Sequence, residues 1–317
     1  MRSVIAVPSL DHAYPDTVTQ TAGASRFPVF PGSGRTRLGG GSGSYDGRVS
    51  TAGPLGEYLR ARRELIGPGD VGLPAHGRRR VPGLRREEAA LLAGISADYY
   101  LRLEQGRDRH PSTQVVEALA RALMLDADAA AHLHGLARPV PARRAARPAE
   151  RVPVGIRQLV GSWAETPAFV HGRHLDVLFA NPVATALAPI FTPGVNLLRA
   201  VFLDPSVSAL YPALTAVAAN AVAGLRAQVG PEVDDPRLVE LVEELTAGSE
   251  RFRRLWARHD VTARAGGGVR VFQHPELGEL ALRYEKLTIS GTTQSLVVYH
   301  AEPGSPSARS LARLARR

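Results

Sequence analysis

The stretch RREEAALLAGISADYYLRLEQG, residues 85–106, admits few folds, because its small residues fall where two helices have to touch and turn. Ala90 stands four residues after Arg86, where only a small side chain lets two helix backbones approach. Gly94 stands four further on, where a tight turn requires positive φ. Ala89, Ala93, Ile95, Tyr100 and Leu103 recur at helical spacing and predict one face buried against a neighbouring helix. Ser96 is placed to cap the second helix, its hydroxyl facing an orphan N–H of the first turn.

A helix-turn-helix of this kind leaves the other face of its second helix free. Ser96, Ala97, Asp98, Leu101, Arg102 and Gln105 fall on that face, and such a face fits the major groove of double-stranded DNA. Arg102 can read guanine bidentately and Gln105 can pair with adenine, while Asp98 either accepts from cytosine or only favours the helix N-terminus electrostatically. Arg85 and Arg86, opening the first helix, are placed for phosphates. The alternative at this point is an ordinary helical hairpin in an all-α bundle.

The flanks add three more helices. LGEYLRARRELI carries Leu55, Leu59 and Ile66 on one side; STQVVEALARALML carries Val115, Leu119, Ala122 and Leu123; DADAAAHLHGLA follows with Asp126 as an N-cap. With the hairpin second and third of five helices, residues 54–137 resemble the Cro/C1-type or Xre family of bacterial and phage regulators. The landmarks Glu104, Gly106, Pro111 and Ser112 follow the second helix of the pair as they do there. That family commonly has Gln where this chain has Arg86, which puts direct DNA contact by Arg86 in question.

The phrase GLPAHGRRRVPGLRREEAALLAGISADYYLRLEQGRDRHPS is similar to the actinobacterial Xre-type regulators that carry an MmyB-like ligand-binding domain. The C-terminal phrases LDVLFANPVATAL, LWARHDV, FQHPELGELALRYEKL and LVVYHAEPGS resemble that second domain. The resemblance implies a multidomain protein: an all-α five-helix DNA-binding domain followed by an α+β, PAS-like domain whose cavity takes a small apolar molecule such as a fatty acid. It also implies a homodimer on a two-fold related operator. Arg78, Arg79 and Arg80 of the GRRR insertion would then extend the phosphate-contacting surface, although a solvated charge run has the same look.

The pattern after residue 153 agrees with such a second domain, 154–306. A helix from Ile156 to Trp163 precedes two strands, Ala168 to His171 and Leu175 to Ala180. Helical segments follow, and three alternating strands close the domain, broken at Pro275 to Gly278 and at Gly291 to Gln294. Phe169, Val177, Phe179, Leu198, Phe202 and Trp256 suit the lining of an apolar cavity, with Val177 and Phe179 both facing inward, and suit a solid core equally well. A filled core would make this domain a dimerisation or protein-interaction module instead.

The remaining segments read as connections. Residues 1–53 have no sustained apolar period and predict a disordered extension. Since the resemblance begins near Gly53, a start at a GTG codon for Val49 is compatible with it. Residues 138–153 hold five arginines and four prolines and predict an interdomain linker; residues 307–317 predict a basic tail.

Composition bounds the chemistry. The net charge of +9 favours a polyanionic partner, yet every basic residue but Lys286 is arginine, a bias that codon usage in a GC-rich genome also produces. Without cysteine there is no disulfide, thiolate nucleophile or zinc finger, which fits a reducing cytoplasm. No apolar run approaches the roughly 20 residues that span a bilayer, so no membrane partner is expected. His132 and His134 diverge on a helix and the other histidines are scattered, Gly266 to Gly268 lacks the spacing of a phosphate loop, and GxSxG does not occur. These features predict no catalytic residues, no metal and no cofactor.

Overall fold

The computed structural model describes residues 52–74, 83–138, 150–262 and 267–316. The extension before residue 52, the GRRR insertion and most of the Arg/Pro-rich linker lie outside them.

The first domain has helices α1 (Gly53–Leu65), α2 (Arg86–Ala93), α3 (Ala97–Glu104), α4 (Thr113–Ala122) and α5 (Ala127–Ala137). Local chemistry sets their limits. Gly94 ends α2 in the left-handed region at φ 67°. Ser96 Oγ then accepts from the Tyr99 N–H at 3.1 Å to open α3, and the Asp126 carboxylate caps α5 in the same way at 2.9 Å. Tyr58, Leu59, Leu84, Tyr100, Leu103, Leu119 and Leu133 have no exposed surface and form the centre of the core. A Cβ added at Gly56 would stand 2.4 Å from the Glu104 carbonyl oxygen, so α1 can cross α3 in contact only because residue 56 has no side chain.

The second domain places helices α6 (Val154–Gly161), α7 (Pro182–Leu187), α8 (Leu197–Leu203), α9 (Val207–Leu210), α10 (Leu214–Val229), α11 (Pro236–Gly248), α12 (Glu250–Ala257) and α13 (Pro306–Leu314) about one sheet. Its strands are β1 (Ala168–His171), β2 (Val177–Ala180), β3 (Gly268–His274), β4 (Gly278–Thr288) and β5 (Ser295–His300). They pair antiparallel in the PAS-like order β2-β1-β5-β4-β3. Alternation then gives the sheet two faces. Phe169, Val177, Phe272, Leu280, Leu282, Val297 and Tyr299 meet residues of α7, α8, α10, α11 and α12 on the inner face. Ala168, Val170, Leu296 and Ile289 form a smaller cluster on the outer face with Val160 of α6.

Three expectations are corrected. Phe179 does not lie beside Val177: the β1–β2 register shifts between Val170 and His171, so Val177 joins the inner cluster while Phe179 packs with the outer one. The second strand begins at Val177 rather than Leu175, which has φ 65° and belongs to the turn. The segment read as a tail is largely helix α13; Ser305 caps it, and Leu311 and Leu314, three residues apart, are buried in the inner core.

Candidate DNA interface and sensor core

The exposed side of α3 carries Ala97, Asp98 and Arg102, with Ser96 at its start and Gln105 at its end; Leu101 is half-buried. Arg102 is not free in solution. Its guanidinium pairs with the Asp98 carboxylate one turn earlier and lies 5.6 Å from the centre of the Tyr99 ring. Asp98 thereby aims Arg102 along the helix face.

Arg85 is exposed at the start of α2, whereas Arg86 is engaged. Its Nε donates to Glu104 Oε2 at 2.7 Å, and Arg63 Nε of α1 donates to Glu104 Oε1 at 2.6 Å. The Glu104 side chain is 2% exposed and that of Arg63 5% exposed, and Arg63 also donates to the Leu84 carbonyl at 2.7 Å. One buried carboxylate therefore joins α1, α2 and α3, fixing the pose of the face that carries Arg102. Arg63 was not visible as a partner from sequence, because the contact spans 41 residues. Arg78, Arg79 and Arg80 fall outside the described residues.

Of the six candidate lining residues, Phe169, Val177, Leu198, Phe202 and Trp256 belong to the inner cluster, and Phe179 does not. Aromatic contacts run through the cluster. Phe169 stacks on Phe191 with ring centres 4.4 Å apart, Phe191 on Tyr299 at 5.6 Å, and Phe202 meets Phe252 edge-on at 5.2 Å. Trp256 stacks on Phe252 at 5.7 Å and carries the Arg226 guanidinium 3.9 Å from its ring centre.

From Trp256 the contacts continue into the first domain. Arg226 donates to the Trp256 carbonyl at 2.7 Å and stands 3.1 Å from His259 Nδ1. The His259 ring lies edge-on to Tyr58 of α1, and Tyr58 lies against His132 of α5. Arg62 of α1 donates to Asp260 at 2.8 Å, and Val261, 6% exposed, is part of the first domain's apolar core. Beside this joint a cavity of about 200 Å³ is lined by Arg62, Asp126, Asn220, Asp260 and Thr262 among others. Burial shapes the protonation here: it pushes His132 down to about 4 and His259 down to about 3, with the Arg226 charge acting the same way. Burial also brings Arg226 down to about 10.

Among the described residues no cluster of metal-ligating side chains occurs, and no helix is long and apolar enough to cross a membrane. No curated protein matches the chain. A helix-turn-helix domain model matches residues 54–133, so the exposed α3 face belongs to a DNA-binding domain. A model of the MmyB-like transcription regulator ligand binding domain matches residues 152–314, more than half of the chain. The helix-turn-helix domain and the ligand-binding domain together make this chain a transcription regulator, and it belongs to the MmyB-like family.

Proposed function

We propose that this regulator binds a two-fold related DNA operator as a homodimer, through α3, and that a small apolar ligand in the inner cluster of the PAS-like domain changes its operator affinity. Arg102 and Gln105 read bases; Ser96, Ala97, Asp98 and Leu101 line the same face; Arg85 and the arginines at 78, 79 and 80 meet phosphates. Arg86 serves the helix arrangement more than the DNA, since Glu104 holds it. The domains divide at residues 54–137 and 154–314, with the Arg/Pro-rich segment between them, and the protein acts in the cytoplasm.

The observation that carries this reading is the seat of Val261. A residue of the sensor domain packs in the core of the DNA-binding domain, so a change in the inner cluster that moves α12 also moves the helix bundle. The ligand would be held by Phe169, Val177, Leu198, Phe202 and Trp256. The close stacking of these rings favours the second reading, a filled domain that serves dimerisation without a ligand.

Native mass spectrometry of the purified chain, with selection of bound sites from genomic DNA, separates the two. A copurifying apolar molecule and an operator of two half-sites about 34 Å apart support the ligand reading. A ligand-free dimer on the same operator supports the filled module, and a monomer on a single asymmetric site removes the dimer from both.

A further inference from the structure

Helix α3 carries two carboxylates, and they face opposite ways. Glu104 is buried against Arg63 and Arg86, which leaves Asp98 as the acidic group on the outward face of the helix. Its side chain is 73% exposed. In a DNA groove a carboxylate is unfavourable for every sequence, because phosphates line both edges and repel it. A residue of this kind calls for a compensating contact. Asp98 has one: its Oδ2 accepts from Nη1 of Arg102, one turn later.

That contact determines what the arginine can still do. A guanidinium holds five N–H donors on a rigid plane, and the edge formed by Nε and Nη2 stays whole when Nη1 is taken. The same edge matches O6 and N7 of guanine bidentately. The cation also lies 5.6 Å from the centre of the Tyr99 ring, and Tyr99 packs against the core of the first domain, so the ring is fixed to the fold. The Arg102 carbonyl accepts the N–H of Arg107 at 2.9 Å, which holds the backbone at the helix end. An exposed ion pair alone orders two long side chains weakly. Ring and carboxylate together restrict Arg102 from two sides. A free arginine, by contrast, swings to phosphates, which are the same on every sequence.

We infer that Asp98 is a specificity-determining positioning residue: by occupying Nη1 it withholds Arg102 from phosphates and presents the Nε–Nη2 edge to guanine, so the pair weakens binding to non-operator DNA more than binding to the operator. This rests on the reading of α3 as the base-contacting helix. It gives Asp98 a role exerted through Arg102 and Tyr99 in place of a base contact of its own.

The test uses the full-length protein and the operator obtained by site selection. That operator, its variants at the guanine that Arg102→Ala identifies, and a non-operator duplex of equal length compete for the protein between about 50 and 200 mM salt. Asp98→Ala should lower the guanine preference by about 2- to 10-fold, the equivalent of ordering one free side chain. It should also tighten non-operator binding by about 3- to 10-fold, with a salt slope steeper by about one phosphate contact. Asp98→Glu should restore both properties, because it keeps the charge four residues before Arg102; Asp98→Asn, which keeps the shape without the charge, should act in the direction of alanine. Added to Arg102→Ala, the Asp98→Ala change should alter the guanine position no further. An Asp98 that only favours the helix N-terminus would lower the melting temperature and leave the guanine preference unchanged, which overturns the proposal. A loss confined to a second base position, with the guanine preference intact, overturns it as well and makes Asp98 a direct reader of cytosine. Selected sequences unaffected by Arg102→Ala overturn the reading of α3 itself.

Discussion

Replacing Glu104 by glutamine tests the electrostatic staple of the DNA-binding domain with a change of one atom. Both carboxylate oxygens are occupied, Oε1 by Arg63 and Oε2 by Arg86, and the carboxylate is almost wholly enclosed. The amide keeps one acceptor and turns a donor pair toward the other guanidinium. Arg86, 46% exposed, can swing into water, so its share is below about 1 kcal/mol. Arg63 cannot. It is 5% exposed, and a buried ion pair broken from one side costs about 3–5 kcal/mol, mostly the penalty of the charge left behind. Against a domain stability of about 5–15 kcal/mol this is about a fifth of the total or more. Urea denaturation followed by circular dichroism should therefore show an unfolding free energy lowered by that amount. Arg63→Met with Glu104→Gln should recover much of it, since the cycle removes the orphaned charge as well. A single variant that loses less than about 1 kcal/mol, or a double variant less stable than the single, refutes the assignment of Glu104 as the staple.

Arg102→Ala should weaken operator binding by about 1–3 kcal/mol and relax the sequence requirement at one base position with melting unchanged, read by competition binding against single-base operator variants. Val177→Trp, at a site 1% exposed, should destabilise the protein by about 1–3 kcal/mol if the inner cluster is solid, and should instead abolish stabilisation by lipid extract while melting near wild type if a ligand opens it. The buried histidines fix an acid limit: His132 and His171, both held near 4 by burial, stay neutral in the folded chain where the unfolded chain protonates near 6.5. Stability should be level above about pH 7 and fall between about 6.5 and 4, by up to about 1.4 kcal/mol per pH unit for each histidine; a melting temperature flat over that range contradicts the burial.

What the sequence disclosed follows from how locally each feature is determined. The α2–α3 hairpin, its glycine turn and its Ser96 cap are set within a dozen residues, and they were legible at once. So were the three closing strands, because Phe272, Leu280 and Leu282 alternate with outward residues on a half-buried sheet. The place of Phe179 was not legible. Alternation from Val177 predicts the inner face, and the shift that turns it outward arises in pairing with β1, where no sequence spacing records it. Helix α13 was missed because Arg309, Arg313, Arg316 and Arg317 give the end of the sequence the look of a basic tail, although Leu311 and Leu314 carried the periodic signal that could have found it.

The joint between the domains was least legible of all, and the proposed mechanism depends on it. Sequence gave LWARHDV as a phrase without a use. Its residues divide the labour: Trp256 closes the inner cluster against Phe252, His259 meets Tyr58, Asp260 meets Arg62, and Val261 enters the helical core. Between the first and the last lie four residues, a span too short to absorb a shift of the tryptophan by slack. A ligand that binds one arrangement of Trp256 a hundredfold better than the other can bias the joint by about 2.7 kcal/mol and no more. The part-buried Arg62–Asp260 pair can re-form elsewhere through water, whereas Val261 opposes such a movement through apolar contact that has to be remade. The joint thus favours two discrete settings over a graded response, because a side chain in a packed core is either seated or withdrawn.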